Sequence, residues 1–193
     1  AEMKSLFDAL LVGVGMVVDR RFTRVNSYLC SLLGYEESEL VGNLSKIIYV
    51  DDGEFERTGK ELYGMMSREG SGITKTVVRH KDGHLIDCLI TLTPIDPDDI
   101  SAGVCATFND ITELNRAEKA LRESEIRFNS VMEQSTLPML VVDCSGIMVD
   151  ANSAWVKLWH ADRNLAVGNY NVFSDEQNIA LKPLFDKALA GEP

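Results

Sequence analysis

The side chains able to do chemistry are few and scattered. Cys30, Cys88, Cys105 and Cys144 contain no Cys-x-x-Cys pair, so zinc-finger and thioredoxin-like chemistry lack their spacing. They read as small buried hydrophobes in a reducing compartment. His80 and His84 flank a turn and are expected to face solvent, and His160, after Trp159, is no better placed as a ligand, so no metal site is assigned. Gly53 to Lys60 resembles a phosphate loop only superficially. Five residues separate Gly53 from Gly59 where the motif has four, and Glu61 follows Lys60 where Ser or Thr would hold magnesium. No catalytic residue is assigned.

The elements that would position such residues belong to an ordinary globular chain. It has 193 residues, 45% hydrophobic and 25% charged, enough for a packed core without staples. Lys and Arg number 19 against 30 Asp and Glu, and a net charge of -11 opposes nucleic acid and anionic membranes. The longest apolar run, 9–18, is about half of what a spanning helix needs and is broken by Gly13 and Gly15, so no membrane insertion is expected. Glu2, Lys4 and Asp8 at the start do not follow the order of a secretion signal, and a cytoplasmic location is expected.

The chain repeats itself. Met16-Val17-Val18-Asp19, Val25-Asn26, Leu32-Leu33 and Leu40-Val41-Gly42 recur as Leu140-Val141-Val142-Asp143, Ala151-Asn152, Leu158-Trp159 and Ala166-Val167-Gly168. From Asn to Gly the spacing is 16 in both copies (42 − 26 and 168 − 152), at an offset of 126. The distance from Asp to Asn is 7 in the first copy and 9 in the second, where Cys144-Ser145-Gly146 lengthens a turn between two short strands.

In the first copy Asp51, with Glu54 three residues on, signals a helix start, and Phe55, Gly59, Leu62 and Met66 fall on one face of that helix. Residues 73–78 and 85–93 are expected strands closed by the turn Lys81-Asp82-Gly83. A polar loop at 94–99 and a third strand at 101–109 complete five strands. Asp110 and Glu113 can cap a helix running to about Gln134. Its Leu114, Leu121 and Phe128 recur at sevens, with Ala117, Ser124 and Val131 between them, as a thin seam for a partner helix or a packing face on its own domain. The second copy repeats the hairpin and first helices, then offers a cap at Ser174-Asp175-Glu176-Gln177 before a helix at 179–189, which Pro183 either kinks or begins. It stops before the three-stranded part and is expected to be incomplete.

The order strand-strand-helices-strand-strand-strand, with Asn26, Leu33-Gly34-Tyr35, Glu39-Leu40-Val41-Gly42, His80-Lys81-Asp82-Gly83 and Asp110-Ile111-Thr112-Glu113, resembles the bacterial PAS/PAC sensor-domain family. The expected fold is α+β: a PAS-like five-stranded antiparallel sheet with helices on one face, a linker helix, and an incomplete second copy. The corresponding segments are 1–112, 113–134 and 135–193. The resemblance implies a sensory module of a signal-transduction protein, such as a sensor histidine kinase or diguanylate cyclase, that takes a small ligand or partner between helices and sheet. Pocket candidates are Asn26, Leu29, Leu33, Phe55, Leu62, Val77 and Leu89, and Asp110, Ile111 and Thr112 would pass the signal into the linker helix, through which a homodimer would form. The flavin-thiol photoreceptor core Asn-Cys-Arg-Phe is absent, since Cys30 sits in Tyr28-Leu29-Cys30-Ser31. Haem is disfavoured because 51–66 holds no His. A non-covalent flavin, FAD or FMN, is compatible with Asn26, Trp155 and Trp159 as amide and aromatic partners. The alternatives are therefore a small-ligand sensor, a flavin redox sensor, or a ligand-free dimerisation and relay spacer.

Overall fold

Alternating apolar residues and turn-forming pairs build the first sheet. In the computed structural model, which describes residues 6–176, 178 and 182–191, strand β1 (Gly13–Val18) turns at Asp19 and Arg20 into β2 (Arg21–Val25). Both turn residues have left-handed backbone, with φ of 51° and 61°, the geometry that matches strand twist in a tight hairpin. Helices α1 (Ser27–Leu33) and α2 (Glu37–Leu40), a 3-10 turn (Ser45–Ile48) and helix α3 (Asp52–Glu69) follow. Asp51 caps α3 by accepting from the Glu54 N–H at 2.8 Å. Strands β3 (Gly72–Arg79), β4 (Leu85–Pro94) and β5 (Val104–Asp110) complete an antiparallel sheet in the order β2-β1-β5-β4-β3.

The helices bury one sheet face. Phe55, Leu62 and Met66 of α3 and Leu29 and Leu33 of α1 pack with Phe22, Val78, Ile90, Leu92, Val104 and Phe108. Here two expectations change. Val77 and Leu89 lie on the opposite face, half-buried, while Val78, Ile86, Cys88 and Ile90 point inward. The register sets Val77 opposite Asp87 and Lys75 opposite Leu89, so the outer face is mixed and the inner face apolar. Leu85-Ile86-Asp87-Cys88-Leu89-Ile90 is apolar on both parities except at Asp87, and a one-residue error in parity exchanges the faces. The last strand also starts later than expected, because Ile100–Ala102 forms a 3-10 turn held by Asp99, which accepts from the Ser101 N–H at 2.9 Å. Pro94, expected in the loop, ends β4, a position where its missing N–H costs no ladder bond.

Helix α4 (Thr112–Gln134) follows β5 and runs across the boundary between two compact units, Ala1–Glu118 and Lys119–Pro193. The second unit contains the hairpin β6 (Leu140–Val142) and β7 (Met148–Ala151), then α5 (Ser153–Trp159), α6 (Arg163–Ala166) and α7 (Lys182–Leu189). Its small core gathers Met148, Ala151 and Trp155. The three-stranded half of the first sheet has no counterpart among the described residues of the second unit. Gln177 of the expected cap and Ile179 to Leu181 of the expected helix lie outside the described residues. Pro183 sits in the first turn of α7, where a proline is tolerated. Among the described residues no helix is long and apolar enough to cross a membrane.

Candidate functional site

The space between α3 and the sheet is nearly filled. Phe55 and Leu62, with Phe22, Ile90, Leu92 and Phe108, line a cavity of about 30 Å³, room for about one water molecule. Arg20, from the β1–β2 turn, closes over it. Its guanidinium lies 3.5 Å from the centroid of the Phe55 ring, donates to the Phe55 carbonyl at 2.8 Å, and pairs with Glu56 at 3.0 Å. Arg20 also lines a more open groove with Asp19, Tyr63, Ser101 and Gly103.

The seven expected pocket residues therefore separate. Phe55 and Leu62 line the cavity, Leu29 and Leu33 are fully buried core residues off it, and Val77 and Leu89 are on the far face of the sheet. Asn26 is committed to the backbone. Its Oδ1 accepts from the Val14 and Leu29 N–H groups, both at 2.9 Å, and its Nδ2 donates to the carbonyls of Phe7 and Val12 at 3.2 and 2.9 Å. It has no donor left for a ligand. A flavin needs a pocket of several hundred Å³, and the 30 Å³ between α3 and the sheet does not fit one; the larger space in the first unit, about 600 Å³, is an open concavity lined by Arg24, Asn26, Cys30 and Tyr35. In the second unit Leu140, Trp155, Trp159, Tyr170 and Phe185 line an open concavity of about 430 Å³, so the two tryptophans and Asn26 lie in different units.

Two of the three expected relay residues, Ile111 and Thr112, converge on one partner that sequence reasoning missed, Asp87. The Ile111 N–H donates to the Asp87 carbonyl at 2.8 Å, the Asp87 N–H to Thr112 Oγ1 at 3.0 Å, and the Asn115 amide to Asp87 Oδ2 at 3.0 Å. Asp110 completes the joint by accepting from the Thr112 N–H at 2.8 Å. The start of α4 is thus pinned near the start of β4 by main-chain and side-chain bonds. The one signal for it in the sequence is a lone carboxylate in an otherwise apolar strand.

Around this frame three buried or half-buried thiols are pushed up. Burial, with Asp110 nearby, pushes Cys88 up to about 12, and burial raises Cys30 and Cys105. Beyond the joint, Leu114, Leu121 and Phe128 on α4 are 55%, 63% and 52% exposed, an apolar row left uncovered by the described residues.

A five-stranded antiparallel sheet in the order 2-1-5-4-3, helices on one face and a long helix pinned to its last strands define a single-sheet α+β domain, present here once whole and once in part. The chain belongs to the PAS domain family, whose models match residues 11–113 and again 126–188. It is 26% identical over 121 residues to the sensor protein TdiS of Thauera aromatica, an alignment covering 63% of this chain and 22% of that protein. Among solved structures it is similar to the PAS domain, in complex with ethanol, of a LuxR-family transcriptional regulator from Burkholderia thailandensis. That match has 25% identity and a TM-score of 0.53, over 56% of this chain and 96% of that one. A PAS domain from Colwellia psychrerythraea, 20% identical with a TM-score of 0.54 over 58% and 96% of the two chains, shares the fold.

Proposed function

We propose that this chain is a signal-sensing and relay module of a signal-transduction protein, in which strain in the first sheet is handed to helix α4 through Asp87. The observation that carries this reading is the joint itself: Asp87 makes three hydrogen bonds to Ile111, Thr112 and Asn115, so β4 cannot shift without dragging the first turn of α4. The nearly filled core supports relay, or an effector little larger than water, over a large resident ligand. The output we favour is a histidine kinase, in keeping with the similarity to a sensor protein that this chain spans by 22%.

The exposed row Leu114, Leu121 and Phe128 supports a second element of the reading, pairing of α4 with the same helix of another copy. The decisive experiment replaces Asp110 and Thr112 with alanine in the longer sensor protein and follows output against stimulus. Loss of stimulus dependence with basal output retained is the expected result. Output that still tracks the stimulus would reduce both residues to helix caps, worth about 1 kcal/mol.

A further inference from the structure

The tip of the β3–β4 hairpin brings three ligand-type side chains together. His80, Asp82 and His84 alternate along five residues, and the turn at Gly83 folds them onto one side. Asp82 Oδ1 lies 2.6 Å from His84 Nδ1 and 2.9 Å from His80 Nδ1, and one ligand atom from each residue falls within 4.8 Å of the others. The two imidazoles stack with centroids 4.3 Å apart and planes 22° apart.

The proton arrangement leaves a gap that a cation suits. The Asp82 N–H donates to His80 Nδ1 at 3.2 Å, which marks that nitrogen as an acceptor. It faces the Asp82 carboxylate, another acceptor, which already takes the His84 backbone N–H at 3.0 Å. A hydrogen on His84 Nδ1 satisfies one of the two short contacts, and at the other two acceptor atoms face each other 2.9 Å apart, a repulsion that a proton on His80 or a bound cation relieves. Lys81 does not relieve it, because its ammonium is drawn away to Glu39 at 2.6 Å.

We propose that His80, Asp82 and His84 bind a divalent transition-metal ion of the Zn(II), Co(II) or Ni(II) class through two imidazole nitrogens and one carboxylate oxygen, with water completing the shell. This donor set suits borderline metals, whereas a single carboxylate is too little for calcium or magnesium. Metal–ligand lengths of about 2.0–2.1 Å at tetrahedral angles separate ligand atoms by about 3.3 Å, so both contacts to Asp82 open by under about 1 Å. His84, more than half exposed, supplies that movement. His80 is already fixed. Its ring lies on Gly34 at the end of α1, where a β-carbon would sit 2.2 Å from Nε2, and the Lys81 N–H donates to the Leu33 carbonyl at 2.9 Å. A bound ion would therefore clamp the hairpin tip to the end of α1, independently of the relay at Asp87.

The test is a titration of the reduced full chain with Zn(II) alone, followed by the imidazole resonances, and with Co(II), followed by absorption. Four free cysteines are the competing donors, and thiolate bands in the near ultraviolet would expose them. The expected result is one equivalent bound, shifts at both His80 and His84, no thiolate bands, and affinity at least about tenfold weaker in His84→Ala and in Asp82→Asn. Unchanged Zn(II) affinity in a folded His80→Ala/His84→Ala variant would overturn the site. So would thiolate bands at the first equivalent, or no binding by about 1 mM, the weak end of useful affinities.

Discussion

Asn26 and Asn152 occupy equivalent places in the two units and make the same four bonds. Asn152 Oδ1 accepts from the Met139 and Trp155 N–H groups at 2.9 Å, and its Nδ2 donates to the Met132 and Leu137 carbonyls at 3.0 and 2.8 Å, as Asn26 does with Val14, Leu29, Phe7 and Val12. Both residues are fully buried. What differs is the cover. Leu29 and its counterpart Trp155 are both buried, but in the first unit, under a five-stranded sheet, Leu33 is fully and Leu32 partly buried, whereas their counterparts Trp159 and Leu158 are 56% and 57% exposed beside a two-stranded hairpin. Strand-to-helix entry is thus a local device that a short segment specifies by itself. Burial of the helix behind it is a property of the whole sheet.

The largest effect that would separate these two contributions comes from the asparagines. Asn26→Ala strands the buried Val14 and Leu29 N–H groups and two part-buried carbonyls, at about 1–3 kcal/mol for each unsatisfied group, and is expected to unfold the first unit. Asn152→Ala strands the same groups, but the helix behind them is open to water at Leu158 and Trp159, and the change is expected to cost about 1–2 kcal/mol. Both tryptophans, Trp155 and Trp159, lie in the second unit, so their fluorescence during urea unfolding reports that unit while far-ultraviolet dichroism reports the sum. Equal losses from the two substitutions would break the comparison.

Acid should also distinguish the units. Glu54, hydrogen-bonded by the Arg57 guanidinium and by Thr76, is held down to about 2 despite partial burial. A carboxylate lowered in the folded state contributes its full stability above its ordinary value near 4.3 and loses it as the pH falls towards 2. The first unit should therefore lose on the order of 1–2 kcal/mol across that window, a figure reduced for the one-fifth exposure of the side chain. Glu54→Gln should flatten the dependence. In the second unit Glu133 is lowered by Ser153 and Arg163 but its side chain is 39% exposed, so its acid response should be weaker. An unchanged acid midpoint in Glu54→Gln would remove this distinction.

The row on α4 is tested by Leu121→Asp with Phe128→Asp. Exposed side chains at 63% and 52% contribute little to a single chain, so unfolding should stay nearly unchanged while sedimentation shifts towards monomer. Unchanged sedimentation would remove the helix-pairing role.

How much of this was legible follows the same division. The hairpin in each copy, the cap at Asp51, the Asp82-Gly83 turn and the five strands rest on residues within a few positions of one another, and each is present in the structure. Parity in β4 was not legible, because Leu89 and Ile90 are equally apolar and only pairing with β3 and β5 decides which faces α3. Nor was the pocket: its near closure depends on Arg20 reaching Phe55, 35 positions away. The joint was half legible. Asp110 and Thr112 stand out as caps, but Asp87, the partner of Thr112, is distant in sequence and fixed only by the register of β4 against β5. His80 and His84 fall between these cases, since their spacing is visible but only the turn geometry makes their nitrogens converge.

The smallest expected effect is also the sharpest for the comparison. Gly42 and Gly168, aligned by the repeat, follow α2 and α6 with φ of 85° and 78°, and a β-carbon at either would meet no other atom within 4 Å. Replacement by alanine therefore carries only the backbone cost of left-handed geometry, about 1 kcal/mol. Because nothing beyond the turn is involved, Gly42→Ala and Gly168→Ala should cost the same in their respective units, although the asparagine substitutions do not. Thermal unfolding of each unit would show this. A loss at Gly42 several times that at Gly168 would mean that the five-stranded sheet constrains even its solvent-facing turns, and the separation of local entry from global burial would fail.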